Sequence, residues 1–484
     1  MTRATLARRT LGTGALFVFS VGASSPLTVL AGGITQMYAN TKVIGVGISF
    51  LVMMVLLGLL AVGYVAMSRQ VVHSAPFYAQ WARGLNPSVG LGGALVALIG
   101  YNAIQISLYG LIGTRMAHDA GGPWWAWAIV AWAIVAVLGQ FRGAANARVL
   151  GSLLAVEIAT IVLFDIAAFS HPAGGVVTTA PLAPSSLIVT GASGALAFAM
   201  ASFTGVESPP AFGEEARSPK VVAWATFGGV VFLGLFYAVA AWGYAVVAGV
   251  DNVAVAAGDD TRQPFNYLGN VFGSGMVTLA DLLLVTSAVA AMAAFHGTVA
   301  RYVFALAREH VLPAALGKVS GGRNGGAPLG GSVLQSVTAV IVVGAFLLAG
   351  ADPFLTMFTW LSTIGAVCIL VLLTGSSIAA LSFFRSGRGT RESVLVRSVI
   401  PSAGAVIGVL VLVFMVSSLA SLLGTPPGSL LPMVVPLVVI GAMAVGLLWG
   451  LWLKGTRPEV YGQLGEGAPD PLTVLDQRLA DLAV

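Results

Sequence analysis

Phe17-Val18-Phe19-Ser20-Val21-Gly22-Ala23-Ser24-Ser25-Pro26 lies midway along an apolar run from about 12 to 39. A run that long crosses a hydrocarbon core as a helix, which takes about 20 residues. Its centre, however, holds a helix poorly: Pro26 lacks a backbone donor, and glycine and serine have low helix propensity. A second run, 191–214, carries Phe203-Thr204-Gly205-Val206-Glu207-Ser208-Pro209-Pro210 near its own middle. For either alone a simple proline kink is the alternative. As a pair five spans apart they predict two unwound stretches. Irregular backbone at membrane depth is tolerated only where it is buried in protein or lines a cavity, and matched breaks in two halves of a chain point to the binding site of a transporter.

The rest of the chain agrees with this setting. Of 484 residues 57% are hydrophobic and 8% charged, against about 25% charged in soluble chains. Mean hydropathy is +0.94. Twelve spans are expected at roughly 12–39, 43–67, 88–116, 123–140, 145–170, 191–214, 221–249, 273–308, 330–350, 353–384, 396–421 and 430–453. The pI near 9.5 comes from scattered charges, which excludes nucleic-acid binding as the main activity. Cys368 is the single cysteine, so neither a disulfide within the chain nor a cysteine zinc site is expected. The five histidines show no HExxH spacing, and no metal site or cofactor is expected. Arg3, Arg8 and Arg9 before an apolar run resemble a signal peptide, but the run continues past Pro26 without a convincing cleavage site and is read as a retained span.

Charge fixes the expected orientation. Twelve spans place 20 of the 23 Lys and Arg residues on the side of the N-terminus, leaving only Lys42, Arg115 and Arg262 opposite. The positive-inside rule then puts both termini in the cytoplasm of a multi-pass protein in the cell membrane. The tail 454–484 is polar, and its Leu-rich 472–482 is expected to form a short surface helix.

Three stretches resemble the amino acid–polyamine–organocation (APC) superfamily of secondary transporters. Phe203-Thr204-Gly205-Val206-Glu207, with Glu214-Glu215-Ala216-Arg217-Ser218-Pro219-Lys220 after it, is similar to that family's F-x-G-[FV]-E…E-E-x-x-x-P-[KR] run. Arg301-Tyr302-Val303-Phe304-Ala305-Leu306-Ala307-Arg308-Glu309-His310-Val311-Leu312-Pro313 resembles its R-x-x-[YF]-A-x-A-R-[DE]-x-x-[LF]-P signature, and the span-one break resembles its small-residue segment. The likeness covers about residues 10–455. It implies an all-α polytopic fold: a 5+5 inverted repeat (12–170 and 191–385) around an outer loop at 171–190, then two extra helices in 386–453, between cytoplasmic segments 1–11 and 454–484. It also implies a substrate site between spans one, three, six, eight and ten.

Backbone chemistry leads to the same site. Unwinding around Gly22, Ala23, Ser24 and Ser25 frees N–H groups at the positive head of a half-helix, which suits a carboxylate. Unwinding around Phe203, Thr204, Gly205 and Val206 frees carbonyls for an ammonium group. A zwitterionic amino acid satisfies both. Many relatives carry an aromatic gate two residues before the position of Phe203, where this chain has Ala201. The gate then falls to Phe203, Phe198 or Trp360, for which packing is the alternative role. Many relatives also carry a lysine in mid span five, where this chain has Glu157.

Carboxylates inside spans are costly, about 2.5–3.5 kcal/mol each at mid-membrane if charged, so they face a cavity, pair, or hold a proton. Four are in question: Glu157, Asp165, Glu207 and Asp281. Glu157 and Glu207 are the proton-coupling candidates, with capping of freed N–H groups as the alternative role of Glu207. Thr286, Ser287 and Thr298 offer hydroxyls to sodium, and His296 is a further titrating candidate. Glu214 and Glu215 are expected to pair with Arg or Lys at an inner gate. The expected function is import of an amino acid by proton symport, with sodium as the alternative coupling ion. Polyamine or organic amine transport and potassium uptake are the competing readings. No intramembrane nucleophile–base set or metal-ligand cluster points to an enzyme.

Overall fold

The structure, a computed structural model, describes residues 6, 9–141, 143–259, 262–320, 326–389, 392–426 and 428–467. The expected surface helix at 472–482 lies outside these, as do Arg3, Arg8, Arg142, Arg323, Arg391 and Arg478.

Ten described helices are long and apolar enough to cross a membrane: Thr13–Thr41, Val46–Gln70, Pro87–Ala120, Gly143–Ser170, Pro219–Ala248, Gly275–Arg308, Leu329–Leu348, Pro353–Arg385, Leu395–Ser417 and Leu431–Thr456. Two shorter apolar helices, Trp124–Leu138 and Ala192–Ser202, take the places of spans four and six. Together they give the twelve spans expected. Span six is short because its continuous helix stops at Ser202; turns follow, then a 3-10 turn over Pro209–Phe212. Span one changes character as expected, running as Thr13–Ala23, then Pro26–Thr28, then a π-helical turn over Val29–Ile34. Span ten opens with a second π turn, Pro353–Phe358. Such turns cluster at functional sites, and both of these border the cavity described below.

Local chemistry sets the boundaries. Proline sits in the first turn of spans three, seven and ten, where its missing donor costs nothing. The Asn86 side chain accepts from the Val89 N–H, and Asp352 accepts from Phe354 and Leu355, so both cap the donors that a helix start leaves open. Spans three and eight, 34 residues each, run through the core. Span ten packs closely on span three: a Cβ added at Gly365 would stand 2.1 Å from Ile104 Cγ1. Spans nine, eleven and twelve face outward with exposed Ile341, Val413, Leu437 and Ile440. With every helical backbone bond made internally, such an apolar girdle faces lipid, and the protein is an integral membrane protein.

Between spans, the chain adds two features that hydropathy does not reveal. Pro76–Gly84 forms a helix on the face of the bundle that also carries residues 9–12, 214–220 and 309–317. On the opposite face, Val253–Asp259 and Gln263–Phe272 form two helices between spans seven and eight.

Candidate functional site

The two breaks meet. In span one the helix runs through Gly22 and Ala23, and Ser24 and Ser25 donate to the Val21 and Gly22 carbonyls, so these N–H groups, expected to be free, are engaged within the first half. Ser25 then takes a left-handed conformation (φ 52, ψ 73) and Pro26 starts the next turn. In span six, Gly205 has φ +116, and an added Cβ would stand 2.7 Å from Ala23 Cβ and 3.0 Å from Ser24 N. Only glycine accepts both that φ and that approach. Side chains lace the contact: Ser24 Oγ donates to the Ser202 carbonyl at 2.6 Å and accepts from the Tyr237 hydroxyl at 2.6 Å. Ser20 Oγ donates to the Val206 carbonyl at 3.2 Å. Glu207 caps its own break, its Oε2 accepting from the Gly205 N–H at 2.8 Å.

A line of hydroxyls leads from the span-one break to Glu157. Ser287 on span eight donates to Glu157 Oε2 at 2.6 Å. With its proton committed there, Ser287 accepts from Ser25 at 2.8 Å, and Ser25 in turn accepts from Thr28 at 2.7 Å. Each hydroxyl has one proton to give, so the direction Thr28 to Ser25 to Ser287 is set by a carboxylate at its end. Glu157 is 1% exposed, and the Leu27 N–H at the head of the second half-helix faces it.

A cavity of about 540 Å³ opens on the breaks. Ala23, Ser24, Ser25 and Thr204 line it, as do Phe198 and Trp360 among the gate candidates. Gln36, Asn40 and residues 422–426 also border it, so its mouth lies on the face opposite the N-terminus. Gly22, Phe203, Gly205, Val206 and Glu207 stand behind the wall. Phe203 is 1% exposed and packs on Phe50 and Tyr237, with ring centroids 6.2 Å away in each case.

The other end of the bundle is closed by ion pairs. Arg301 meets Glu215 at 2.6 Å and lies over the Phe212 ring at 4.0 Å. Arg308 holds Glu214 through two nitrogens at 2.7 and 2.8 Å. Burial alone would raise the Glu214 carboxyl, but this paired guanidinium outweighs it and holds the group at about 2. Glu309 accepts from His73 Nε2 (2.8 Å), the Tyr78 hydroxyl (2.5 Å) and the N–H groups of Gly465 and Gly467 (2.9 and 3.0 Å). Against the upward push of burial, His73, Tyr78 and Gly465 together hold Glu309 below the usual carboxylate range. The expectation of a gate built on Glu214 and Glu215 omitted this third acid and its partners.

Of the remaining candidates, Asp281 is bound by Arg115 and Arg262 on the cavity-mouth face. His296 meets Ser332 at 2.7 Å behind the wall residue Phe295. Asp165 is buried near the same face. Thr286 and Thr298 bond to carbonyls of their own helix. Among the described residues, no three His, Cys, Asp or Glu side chains come together as a metal-binding group.

Comparison with known proteins places this architecture. The chain resembles the Eremococcus coleocola manganese transporter in complex with an aromatic bis-isothiourea substituted compound, with TM-score 0.60 and 13% identity over 93% of this chain and 97% of that one. A glutamate-to-alanine mutant of that transporter gives TM-score 0.58 at 13% identity over 93% and 97%. These likenesses show an APC-type fold, and the broken first and sixth spans and the two helices after span ten in this chain fit it. No curated protein matches the chain. The family described as amino acid permease matches residues 11–445. Built on two touching helix breaks in an APC-type bundle, the chain belongs to the amino acid permease family.

Proposed function

We propose that this permease imports a zwitterionic amino acid together with a proton, Glu157 being the proton carrier. The observation that carries the reading is the hydroxyl line from the break to that carboxyl group. Substrate would bind with its carboxylate at the head of the second half of span one and its ammonium against carbonyls of the span-six break. Protonation of Glu157 makes it a donor to Ser287, so the line reverses: Ser287 donates to Ser25, and the Ser25 proton is released toward Thr28 and the cavity that both residues line. The charge state of Glu157 is thereby read at the substrate site without direct contact. On the positive-inside reading of the sequence, the cavity mouth faces outward and the Glu214–Glu215–Glu309 end is cytoplasmic, so the conformation is open to the outside.

The test uses purified protein in liposomes with labelled amino acids under an imposed proton gradient. Glu157→Gln keeps the shape and removes the titration. It should still exchange internal for external substrate but lose pH-driven accumulation. Full pH-driven accumulation by Glu157→Gln would remove Glu157 from the coupling, and accumulation driven by a sodium gradient alone would replace the proton.

A further inference from the structure

Among the described residues the cavity wall is without charge. Beyond the breaks it is built from Ile104 and Leu108 of span three, Phe295 of span eight, and Phe358 and Trp360 of span ten, with Phe198 above the span-six break. Between these stand hydroxyl groups such as Ser107, Ser362 and Thr363. Among the described lining residues there is no Asp, Glu, Lys, Arg or His. Of the charged groups nearby, Glu157 is bonded to Ser287, Glu207 to the Gly205 N–H through Oε2 alone, and Asp281 to two arginines, and none of the three lines the cavity.

We infer that the substrate is an amino acid with a bulky, uncharged side chain. The inference rests on the amino acid reading above and narrows it. On that reading the helix ends at the breaks serve one carboxylate and one ammonium group. A third charge would lose its water and find no counter-charge, the costliest arrangement in a protein interior. That disfavours lysine-, arginine- and glutamate-type side chains, and polyamines, whose several ammonium groups would each need a partner. A divalent metal fares no better: the described wall offers it hydroxyl, amide and carbonyl oxygens, but no carboxylate to balance its two charges. Aromatic and branched side chains instead reward an apolar occupant in proportion to the area it buries. Ile104 of span three and Trp360 of span ten both line this wall and are assigned as the residues that set size. Ile104 is held there because Gly365 lets span ten press directly on it.

Competition binding on the intact purified protein tests this, with leucine, phenylalanine, alanine, lysine, glutamate and putrescine as competitors. Leucine or phenylalanine should bind best, with lysine, glutamate and putrescine weaker by about 100-fold or more, the scale of an unpaired buried charge. Ser362→Asp adds a carboxylate at a half-buried wall position whose only described bond is to the Thr359 carbonyl. It should strengthen lysine binding by about tenfold. Lysine or glutamate within tenfold of the best neutral competitor would overturn the inference, as would unchanged lysine binding by Ser362→Asp or a preference for alanine over leucine and phenylalanine. Binding by no amino acid at all would instead overturn the proposed function.

Discussion

Replacing Gly205 by alanine tests the contact between the two breaks. The added Cβ would stand 2.7 Å from Ala23 Cβ, about 1 Å inside the usual carbon–carbon separation of about 3.5–4.0 Å. Its φ of +116 adds backbone strain of order 1–3 kcal/mol for a residue with a side chain. Overpacking of this degree costs a further ~1–3 kcal/mol. The sum, about 2–6 kcal/mol, is relieved most cheaply by moving span one away from span six, which pulls apart the two ends that hold the substrate. Each 1.4 kcal/mol taken from binding is tenfold in Kd, so substrate affinity should fall at least tenfold. The control is Gly22→Ala in the other break, where an added Cβ meets nothing within 4 Å; it should bind as wild type does. Labelled-substrate binding to both purified variants, with thermal unfolding alongside, decides the matter. A Gly205→Ala protein whose Kd stays within twofold of wild type would refute the idea that the breaks form one site by touching.

Further expectations follow from single contacts. Tyr237→Phe removes the proton given to Ser24 Oγ, a loss of about 0.5–1.5 kcal/mol, and should weaken substrate binding severalfold in the same assay. Glu215→Gln leaves the buried Arg301 guanidinium without its counter-charge, so thermal unfolding should show destabilisation of about 3–5 kcal/mol. Glu309, held below the usual carboxylate range, contributes stability that is present above that range and lost as pH falls through its lowered value. Unfolding temperatures across pH 3 to 7 should therefore drop steeply at the acid end for wild type and less steeply for Glu309→Gln, which should already be weaker at pH 7 by about 1.5–3 kcal/mol.

Hydropathy made all twelve spans legible because each is a long local signal, and the breaks were legible because proline and glycine act on their own backbone. What the breaks do to each other was not. The approach of Gly205 to Ala23 joins residues 182 positions apart, and nothing in either segment encodes the other's position. The sequence marks Glu157 as a costly acid inside a span, but its partner Ser287 lies on a different span, where the sequence offers it only as one of three hydroxyls for sodium. Of the three gate candidates, Phe198 and Trp360 line the cavity while Phe203 is buried behind its wall, a difference that depends on how the spans pack and that no single segment encodes. At the closed end Glu214 and Glu215 were legible as partners for Arg or Lys, whereas Glu309, although charged and part of the 301–313 motif, is completed by groups on distant segments. The donors from Gly465 and Gly467 are backbone groups, and a glycine's N–H leaves no mark in a sequence.

That closing carboxylate gathers chain segments made at very different times. His73 and Tyr78 precede Glu309 by more than 200 residues, and Gly465 and Gly467 come more than 150 after it. During synthesis the first three can meet once span eight is inserted, but the acid stays short of two donors until spans nine to twelve have been threaded. Until then a carboxylate already turned from water lacks part of its compensation, and the end of the bundle is held less firmly. Completion of that end is thus coupled to completion of the chain, so a ribosome-bound intermediate should expose this face to proteases that the finished protein resists.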